Sequence, residues 1–189
     1  MNARRLVVAS AGSGAFSVLA RHARRGEVGA LEEEVFRGIN ALPEAARGPL
    51  WIAMQAGSLA AVGVAAGGMA LAGHRETAVR LGVAGSSVWA LCKVVKSRIG
   101  RGRPGAHLQN VIVRGAAQSG LGFPSGHTAV AFTLAGVASP VLSRRASGLA
   151  WTAAALVGVA RQYVGAHLPA DVAGGVAVGL VATAVAAQS

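Results

Sequence analysis

The sequence predicts an all-α fold, a polytopic bundle of transmembrane helices, and three observations support this prediction. The chain of 189 residues is 53% hydrophobic, with a mean hydropathy of +0.51. Its apolar residues form long runs separated by short polar segments, which is the pattern of membrane-spanning helices. It also contains 27 glycines, which would weaken soluble helices but let helix backbones approach closely within a membrane.

Five segments are apolar over a length that can cross a bilayer, which takes roughly 20 helical residues. The clearest is 50–72, which has 23 residues and no charge. The other four predicted spans follow it along the chain: 78–95, 126–142, 146–164 and 170–187. Small residues one helical turn apart allow close packing within the chain or in a homo-oligomer: Gly63 with Gly67, and Gly175 with Gly179.

The first 48 residues are the least membrane-like part of the chain. We expect an N-terminal segment of interfacial or partial helices over 1–48, followed by a transmembrane domain over 49–189. Residues 6–20 are apolar but short for a span, which favours a tilted or partial helix, or a mobile N-terminus. Residues 27–46 combine charges with apolar positions at helical spacing, which fits an interfacial helix or one packed on the rest of the protein.

Charge is distributed unevenly along the chain. Eighteen Lys and Arg against seven Asp and Glu give a net charge of +11, which suits an anionic lipid, an anionic substrate or nucleic acid. Nucleic acid is disfavoured because the bases flank apolar runs and only 4% of the residues are aromatic, leaving few rings to stack on bases. Six of the seven acids lie in the first 76 residues, and the only later carboxylate is Asp171.

If the five spans alternate in direction, the loops 96–123 and 164–170 lie on one side of the membrane. Three polar clusters then share that face. The first is basic and contains Lys96 and Arg103. An arginine offers a bidentate fork and a lysine a point charge to phosphoryl oxygens, so this cluster predicts phosphate binding. A solvated loop, or one that contacts lipid headgroups, is the alternative interpretation.

The second cluster, 123–127, stands at the predicted start of a helix. A helix N-terminus presents free N–H groups and a partial positive charge, which together bind anions. Ser125 could add a hydroxyl donor, Gly126 lets the backbone approach a ligand, and His127 could donate a proton. The alternative is a serine N-cap beside an unrelated histidine.

The third cluster, 161–171, contains Arg161, His167 and Asp171. Pro169 suits the first turn of the last helix, which puts Asp171 in its N-terminal turn. A carboxylate that holds one ring nitrogen fixes the histidine tautomer and raises the basicity of the other nitrogen. His167 is therefore a candidate nucleophile. In the alternative interpretation Asp171 only caps the helix.

The three clusters, in this order, resemble the motifs of the type 2 phosphatidic acid phosphatase (PAP2) superfamily: Lys96-x6-Arg103-Pro104, Pro124-Ser125-Gly126-His127 and Arg161-x5-His167-x3-Asp171. The resemblance covers residues from about 50 to 188. One departure is Ala160, where the family often has a serine, and it removes a hydroxyl but no charge.

The resemblance implies a phosphatase that needs no metal and no cofactor. His167 would attack phosphorus, oriented by Asp171, and His127 would protonate the leaving oxygen and then activate water. The implied phosphate-binding residues are Lys96, Arg103, Ser125, Gly126 and Arg161. The implied substrate is a phosphomonoester or pyrophosphate on a lipid carrier, with a polyprenyl lipid favoured over a phospholipid.

Two other interpretations of the same residues stay open. His127, His167 and Asp171 could form a two-histidine, one-carboxylate metal site, although the neighbouring cations would repel a metal ion. The chain could also be a non-enzymatic scaffold that binds anionic lipid. A chelator test and a phosphate-release assay separate these interpretations.

The expected location is the bacterial inner (cytoplasmic) membrane, and the side that the polar face occupies stays open. Applied to Arg98, Arg101, Arg114 and the N-terminal arginines, the positive-inside rule puts this face in the cytoplasm. Many members of the PAP2 superfamily instead work on the outer face. Arginines that bind a ligand also bias such a count, so the rule carries less weight here.

Overall fold

The computed structural model describes residues 3–116 and 119–186, which form helices, turns and loops without any strand. The all-α prediction is thereby confirmed. The described residues form eight α-helices: α1 (Ala3–Arg25), α2 (Ala30–Asn40), α3 (Arg47–Gln55), α4 (Leu59–Leu71), α5 (Arg75–Ile99), α6 (Gly126–Ala138), α7 (Arg144–Tyr163) and α8 (Pro169–Ala186).

Helix α6 lies at the centre of the bundle, packed against α5, α7 and α8. Glycines set the short distance between α6 and α8. A Cβ on Gly175 would lie 2.5 Å from the carbonyl oxygen of Ser125, and one on Gly179 would lie 2.6 Å from Cβ of Phe132. The predicted close packing of small residues therefore occurs on α8. On α4, a Cβ on Gly63 or Gly67 would meet nothing within 4 Å.

The structure does not confirm the five membrane spans that the sequence predicts. Within the described residues, two helical segments are long and apolar enough to cross a membrane, Arg75–Ala106 and Pro169–Ala186. A third span results if α3 and α4 count as one bent pair. Helix α6 has only 13 residues, about 20 Å of helix. Helix α7 has Arg144 and Arg145 at its start, so the five-span count is not confirmed.

The stretch 50–72, predicted as one continuous helix, is broken between α3 and α4, and the two helices meet at 61°. Ser58 caps α4 by accepting a hydrogen bond from the amide of Ala61 at 3.1 Å. Gly57 lies against His127, since a Cβ on Gly57 would stand 2.8 Å from the His127 carbonyl carbon. The break thus brings α3 to the start of α6 at a distance that only glycine allows.

The N-terminal helices pack on the rest of the protein. Helix α1 is continuous to Arg25 and lies along α8, whereas α2 contacts α7 and α8. At the end of α2 the buried Asn40 donates hydrogen bonds to the carbonyls of Ile112 (2.9 Å) and Tyr163 (3.0 Å). It also accepts one from the Ile112 amide at 2.9 Å. These bonds fasten α2 to the long loop and to the end of α7.

Candidate active site

The candidate site residues meet at one end of the bundle, where α5 ends and α6 and α8 begin. The short turn 164–168 carries His167 into this region. Gly165 makes the turn with φ of +74°, a conformation that glycine adopts without cost. The amides of Ala166 and His167 then donate to the carbonyl of Arg161 at 3.0 and 3.2 Å. The end of α7 and its following turn thus hold His167 almost completely buried.

Asp171 faces His167 from the first turn of α8. Nδ1 of His167 lies 3.5 Å from Oδ2 of Asp171, which is longer than an N–H···O hydrogen bond of about 2.7–3.2 Å. Nδ1 has no hydrogen-bond partner among the described residues. Oδ2 also accepts a bond from the amide of Leu168 at 2.9 Å. Asp171 is therefore a helix cap and a neighbour of the histidine at once, and such contacts tighten when substrate binds.

The pKa of His167 is lowered well below its ordinary value of 6.5. Burial is the largest cause, because it disfavours the charged ring. The positive charges of Lys96, Arg161 and Arg103 lower the pKa further. His167 is accordingly neutral at pH 7 and has a free lone pair on the ring nitrogen that does not face Asp171.

Two of the surrounding cations are held by backbone carbonyls. Nζ of Lys96 donates to Leu121 at 2.8 Å and to Gly122 at 2.6 Å. Nη1 of Arg103 donates to Ala166, beside His167, at 2.7 Å. Carbonyl oxygens orient these side chains without cancelling their charge. The site consequently keeps a net positive field that attracts an anion.

Arg161 is the most deeply buried of the three predicted phosphate-binding cations. Its Nη1 donates to the sulfur of Met54 at 3.1 Å, a weak acceptor. Its Nε is buried and has no hydrogen-bond partner within the described part of the chain. A buried donor without an acceptor costs about 1–3 kcal/mol. An oxygen of an anionic ligand that accepted a hydrogen bond from Nε would remove this cost.

Ser125 is fully buried and caps α6. Its Oγ accepts a hydrogen bond from Oγ1 of Thr128 at 2.9 Å, and its amide donates to the Asp171 carbonyl at 2.8 Å. The same Oγ accepts from the Thr128 amide, which makes Ser125 the N-cap of α6, and its hydroxyl proton remains available for a ligand. Gly126 and the half-buried His127 follow in the first turn of α6, where helix amides favour an anion.

Arg101 is a residue of this site that the sequence analysis missed, since it counted only as one base of the loop. Its side chain is completely buried. Nη1 lies 3.2 Å from Oδ1 of Asp171 and 3.0 Å from Oε1 of Glu32, and Nη2 lies 2.9 Å from Oε2 of Glu32. The sequence did contain a sign that Glu32 faces the rest of the protein. Phe36 and Asn40 follow Glu32 at intervals of four residues, so all three lie on one face of α2, and Phe36 and Asn40 are buried.

Glu32 is charged in this surrounding. Burial by itself would raise its pKa, but hydrogen bonds from Arg101, His22 and the Ala170 amide outweigh burial and lower the pKa below 4.5. Nε2 of His22, on α1, lies 3.0 Å from Oε2 of Glu32. Two N-terminal helices thus reach the residues around Asp171.

The described residues contain no group of three or more His, Cys, Asp or Glu side chains that could hold a metal ion. Asp171 is also already paired with Arg101. The carboxylate oxygen that is not beside His167 already accepts from a guanidinium. The charged side chains next to His167 are otherwise cations, which disfavour a metal cation and favour an anionic ligand.

The fold and the site together define a helical membrane protein with a basic, histidine-containing site for an anionic group. The family model described as the PAP2 superfamily matches residues 77–189, more than half of the chain. The chain belongs to the PAP2 superfamily, as its three motifs predict. No curated protein sequence matches it.

Two crystal structures are similar to the chain. LpxE from Aquifex aeolicus is 26% identical, with a TM-score of 0.77 over 85% of this chain and 97% of that one. A transmembrane PAP2-type phosphatidylglycerolphosphate phosphatase from Bacillus subtilis is 25% identical, with a TM-score of 0.55 over 97% of this chain and 90% of that one. Family and fold agree that the chain is a membrane lipid phosphatase.

Proposed function

We propose that the protein removes phosphate from a lipid carrier through a phosphohistidine at His167, without a metal. The observation that carries the proposal is the surrounding of His167. The ring is buried and neutral, and its Nδ1 lies 3.5 Å from Oδ2 of Asp171. The positive charges of Lys96, Arg103 and Arg161 act on it. A neutral imidazole inside a ring of cations is suited to attack a phosphoryl group.

Binding of the phosphoryl group uses the donors that converge on the site. Arg161 offers its unpartnered Nε, and Lys96 and Arg103 offer the N–H groups that the loop carbonyls leave free. Ser125 and the Gly126 amide, at the start of α6, complete the set. These donors neutralise the equatorial oxygens and hold phosphorus in line with His167.

The reaction then takes two steps. Nε2 of His167 forms a bond to phosphorus while the bond to the lipid oxygen breaks. Burial and the neighbouring cations lower the pKa of His127 to about 4, and the negative charge of a bound phosphoryl group opposes this shift. His127 then gives a proton to the lipid oxygen. In the second step His127 takes a proton from water, the water oxygen attacks phosphorus, and the phosphorus–nitrogen bond breaks. Inorganic phosphate leaves and His127 is protonated again, ready for the next turnover.

An apolar cavity in the helix bundle supports a lipid substrate. It has a volume of about 770 Å³ and lies between α1, α5 and α8. On α5 its lining runs from Arg80 to Val95, about 22 Å along the helix axis. None of the proposed phosphate-binding residues lines the cavity, but Val95 at its end directly precedes Lys96 in the chain. A long hydrocarbon chain fits this arrangement, and a polyprenyl-type lipid is our favoured substrate, in the bacterial cytoplasmic membrane.

The experiment is phosphate release by the purified protein from a panel of lipid phosphates, with and without EDTA. The panel contains a polyprenyl phosphate, a polyprenyl pyrophosphate, phosphatidic acid and phosphatidylglycerophosphate. We expect turnover that EDTA leaves unchanged and that vanadate inhibits, since vanadate mimics pentacoordinate phosphorus. Loss of turnover in EDTA that a divalent metal restores would contradict the metal-free mechanism.

His167→Ala tests the nucleophile, with the exposed His74→Ala as its matched control. We expect no turnover from the first variant and wild-type turnover from the second. Acid-labile, base-stable phosphoprotein should form from radiolabelled substrate in the wild type. Asp171→Asn should form it at least 100-fold more slowly, because the histidine loses its orienting charge. Normal phosphate release by His167→Ala would contradict the proposal.

A further inference from the structure

A chain of buried charges leads from the N-terminal helices to the candidate nucleophile. Glu32 on α2 binds Arg101, Arg101 binds Asp171, and Asp171 faces His167. We propose that Glu32 and Arg101 are positioning residues that fix the Asp171 carboxylate against His167. This inference rests on the proposed function, because it assigns a task within the same reaction.

Arg101 fixes one end of the carboxylate. Oδ1 of Asp171 accepts from Nη1 of Arg101, whereas Oδ2 accepts from the amide of Leu168 and faces His167. A carboxylate turns easily about the bond to Cβ when only one of its oxygens is held. With both oxygens held, the edge that Oδ2 presents to the imidazole is constant. Arg101 therefore acts through Asp171 and does not itself touch the phosphoryl group.

Glu32 fixes Arg101 with both of its oxygens. Oε1 accepts from Nη1 and Oε2 accepts from Nη2, a bidentate pair that sets the plane of the guanidinium. Without this pair, Arg101 is free to turn both of its nitrogens toward Asp171. The carboxylate would then follow the guanidinium and move away from His167.

Glu32 also holds the helix that carries Asp171. Its Oε1 accepts a hydrogen bond from the amide of Ala170 at 3.0 Å, in the first turn of α8. A carboxylate at a helix N-terminus satisfies a free amide and interacts favourably with the helix dipole. One side chain from α2 thus orients both the guanidinium and the start of α8. The N-terminal helices would then be part of the catalytic unit.

The matched pair Glu32→Gln and Glu33→Gln tests the inference. Glu33 is the next residue on α2 but pairs with Arg37 at the surface. We expect Glu32→Gln to lower kcat about 10- to 100-fold, the loss that misplacement of a reacting group causes. KM should change much less, because Glu32 does not contact the phosphoryl group. Glu33→Gln should match the wild type in both constants.

Arg101→Ala allows chemical rescue. The substitution leaves a buried space in which a guanidinium ion can pair with Asp171 and Glu32. Guanidinium chloride at tens of millimolar should restore part of the lost kcat in a saturable way, and sodium chloride at the same concentration should not. Arg98→Ala, on the exposed end of α5, is the control and should keep the wild-type kcat.

The outcomes separate the inference from the proposed function. If the wild type releases no phosphate, or His167→Ala releases it normally, the proposed function fails. If the wild type is active but folded Glu32→Gln or Arg101→Ala keeps the wild-type kcat, only the positioning role is overturned. If Glu32→Gln lowers the melting temperature but keeps the wild-type kcat per folded protein, Glu32 serves stability and has no positioning role. Should Glu32→Gln not fold, Glu32→Asp and the rescue of Arg101→Ala decide the question.

Discussion

Gly122 packs so closely on Asp171 that a Cβ at position 122 would stand 2.8 Å from Oδ2. The same residue donates its amide to the carbonyl of Arg101 at 2.7 Å and accepts from Lys96 through its own carbonyl. The backbone at Gly122 therefore touches three residues that line the candidate site. Only the absence of a side chain lets the carboxylate stand where it faces His167.

Gly122→Ala is expected to lower kcat at least about 10-fold, because the added methyl group must displace Asp171 or the backbone of Gly102. The matched control is Gly105→Ala in the same loop, where a Cβ would meet nothing within 4 Å. Steady-state phosphate release by both variants is the measurement. A kcat for Gly122→Ala equal to that of Gly105→Ala would mean that the position of Asp171 does not limit the rate.

The depressed pKa of His167 predicts how stability changes with pH. An unfolded histidine titrates near pH 6.5, whereas folded His167 stays neutral well below that value. Between the two pKa values the unfolded chain binds a proton that the folded protein does not, so stability falls as the pH drops below 6.5. At pH 5.5 the loss from this one group is on the order of 1 kcal/mol relative to pH 7.5.

His167→Gln isolates this effect because it removes one titrating group and leaves the others. Unfolding in detergent, followed at pH 7.5 and pH 5.5, measures the stability of both proteins. The variant should lose less stability than the wild type between these pH values, by on the order of 1 kcal/mol. Equal losses in the two proteins would show that His167 titrates normally in the folded state.

The candidate site could be predicted where the chemistry is local along the chain. His167 and Asp171 are four residues apart, and Pro169 between them starts a helix, so sequence alone places them together. The order of the basic cluster, the serine at the start of α6 and the histidine–aspartate pair carried the PAP2 resemblance. The family match now confirms that resemblance. The chemical roles of these residues remain predictions.

Contacts between distant segments could not be predicted in the same way. Glu32 and Arg101 are 69 residues apart, and nothing in their local sequence tells which glutamate of the run 32–34 meets which arginine. The break at Gly57 was also missed, because an apolar stretch without charge fits one helix as well as two. The closeness of Gly57 to His127, which accompanies the break, exists only in the folded protein.

The apolar cavity predicts a variant that separates lipid from soluble substrates. Ser87 is exposed on α5 and lines the cavity, whereas its neighbour Ser86 does not. Ser87→Trp should lower kcat/KM for a long-chain lipid phosphate about 10-fold, by keeping the phosphoryl group from its position near His167. The effect is steric, since the bilayer is as apolar as the cavity.

Hydrolysis of a short, water-soluble phosphate ester should be unchanged in Ser87→Trp, because such a substrate does not need the cavity. Ser86→Trp adds the same bulk on a neighbouring position and should behave like the wild type toward both substrates. Equal loss with the lipid and the soluble ester would point to a disturbed catalytic site. Full activity of Ser87→Trp on the lipid would show that the hydrocarbon chain lies elsewhere.

Asn40 lies on the same face of α2 as Glu32 but is expected to serve stability alone. Asn40→Ala leaves the part-buried Ile112 amide without its acceptor. It also removes the bonds that the side chain donates to the carbonyls of Ile112 and Tyr163. The expected cost is about 2 kcal/mol or more, or roughly 4–8 °C in melting temperature. Gln55→Ala, which removes one exposed bond within α3, is the control. The kcat of Asn40→Ala per folded protein should stay at the wild-type value. A fall as large as the one expected for Glu32→Gln would mean that Asn40 also positions the catalytic residues.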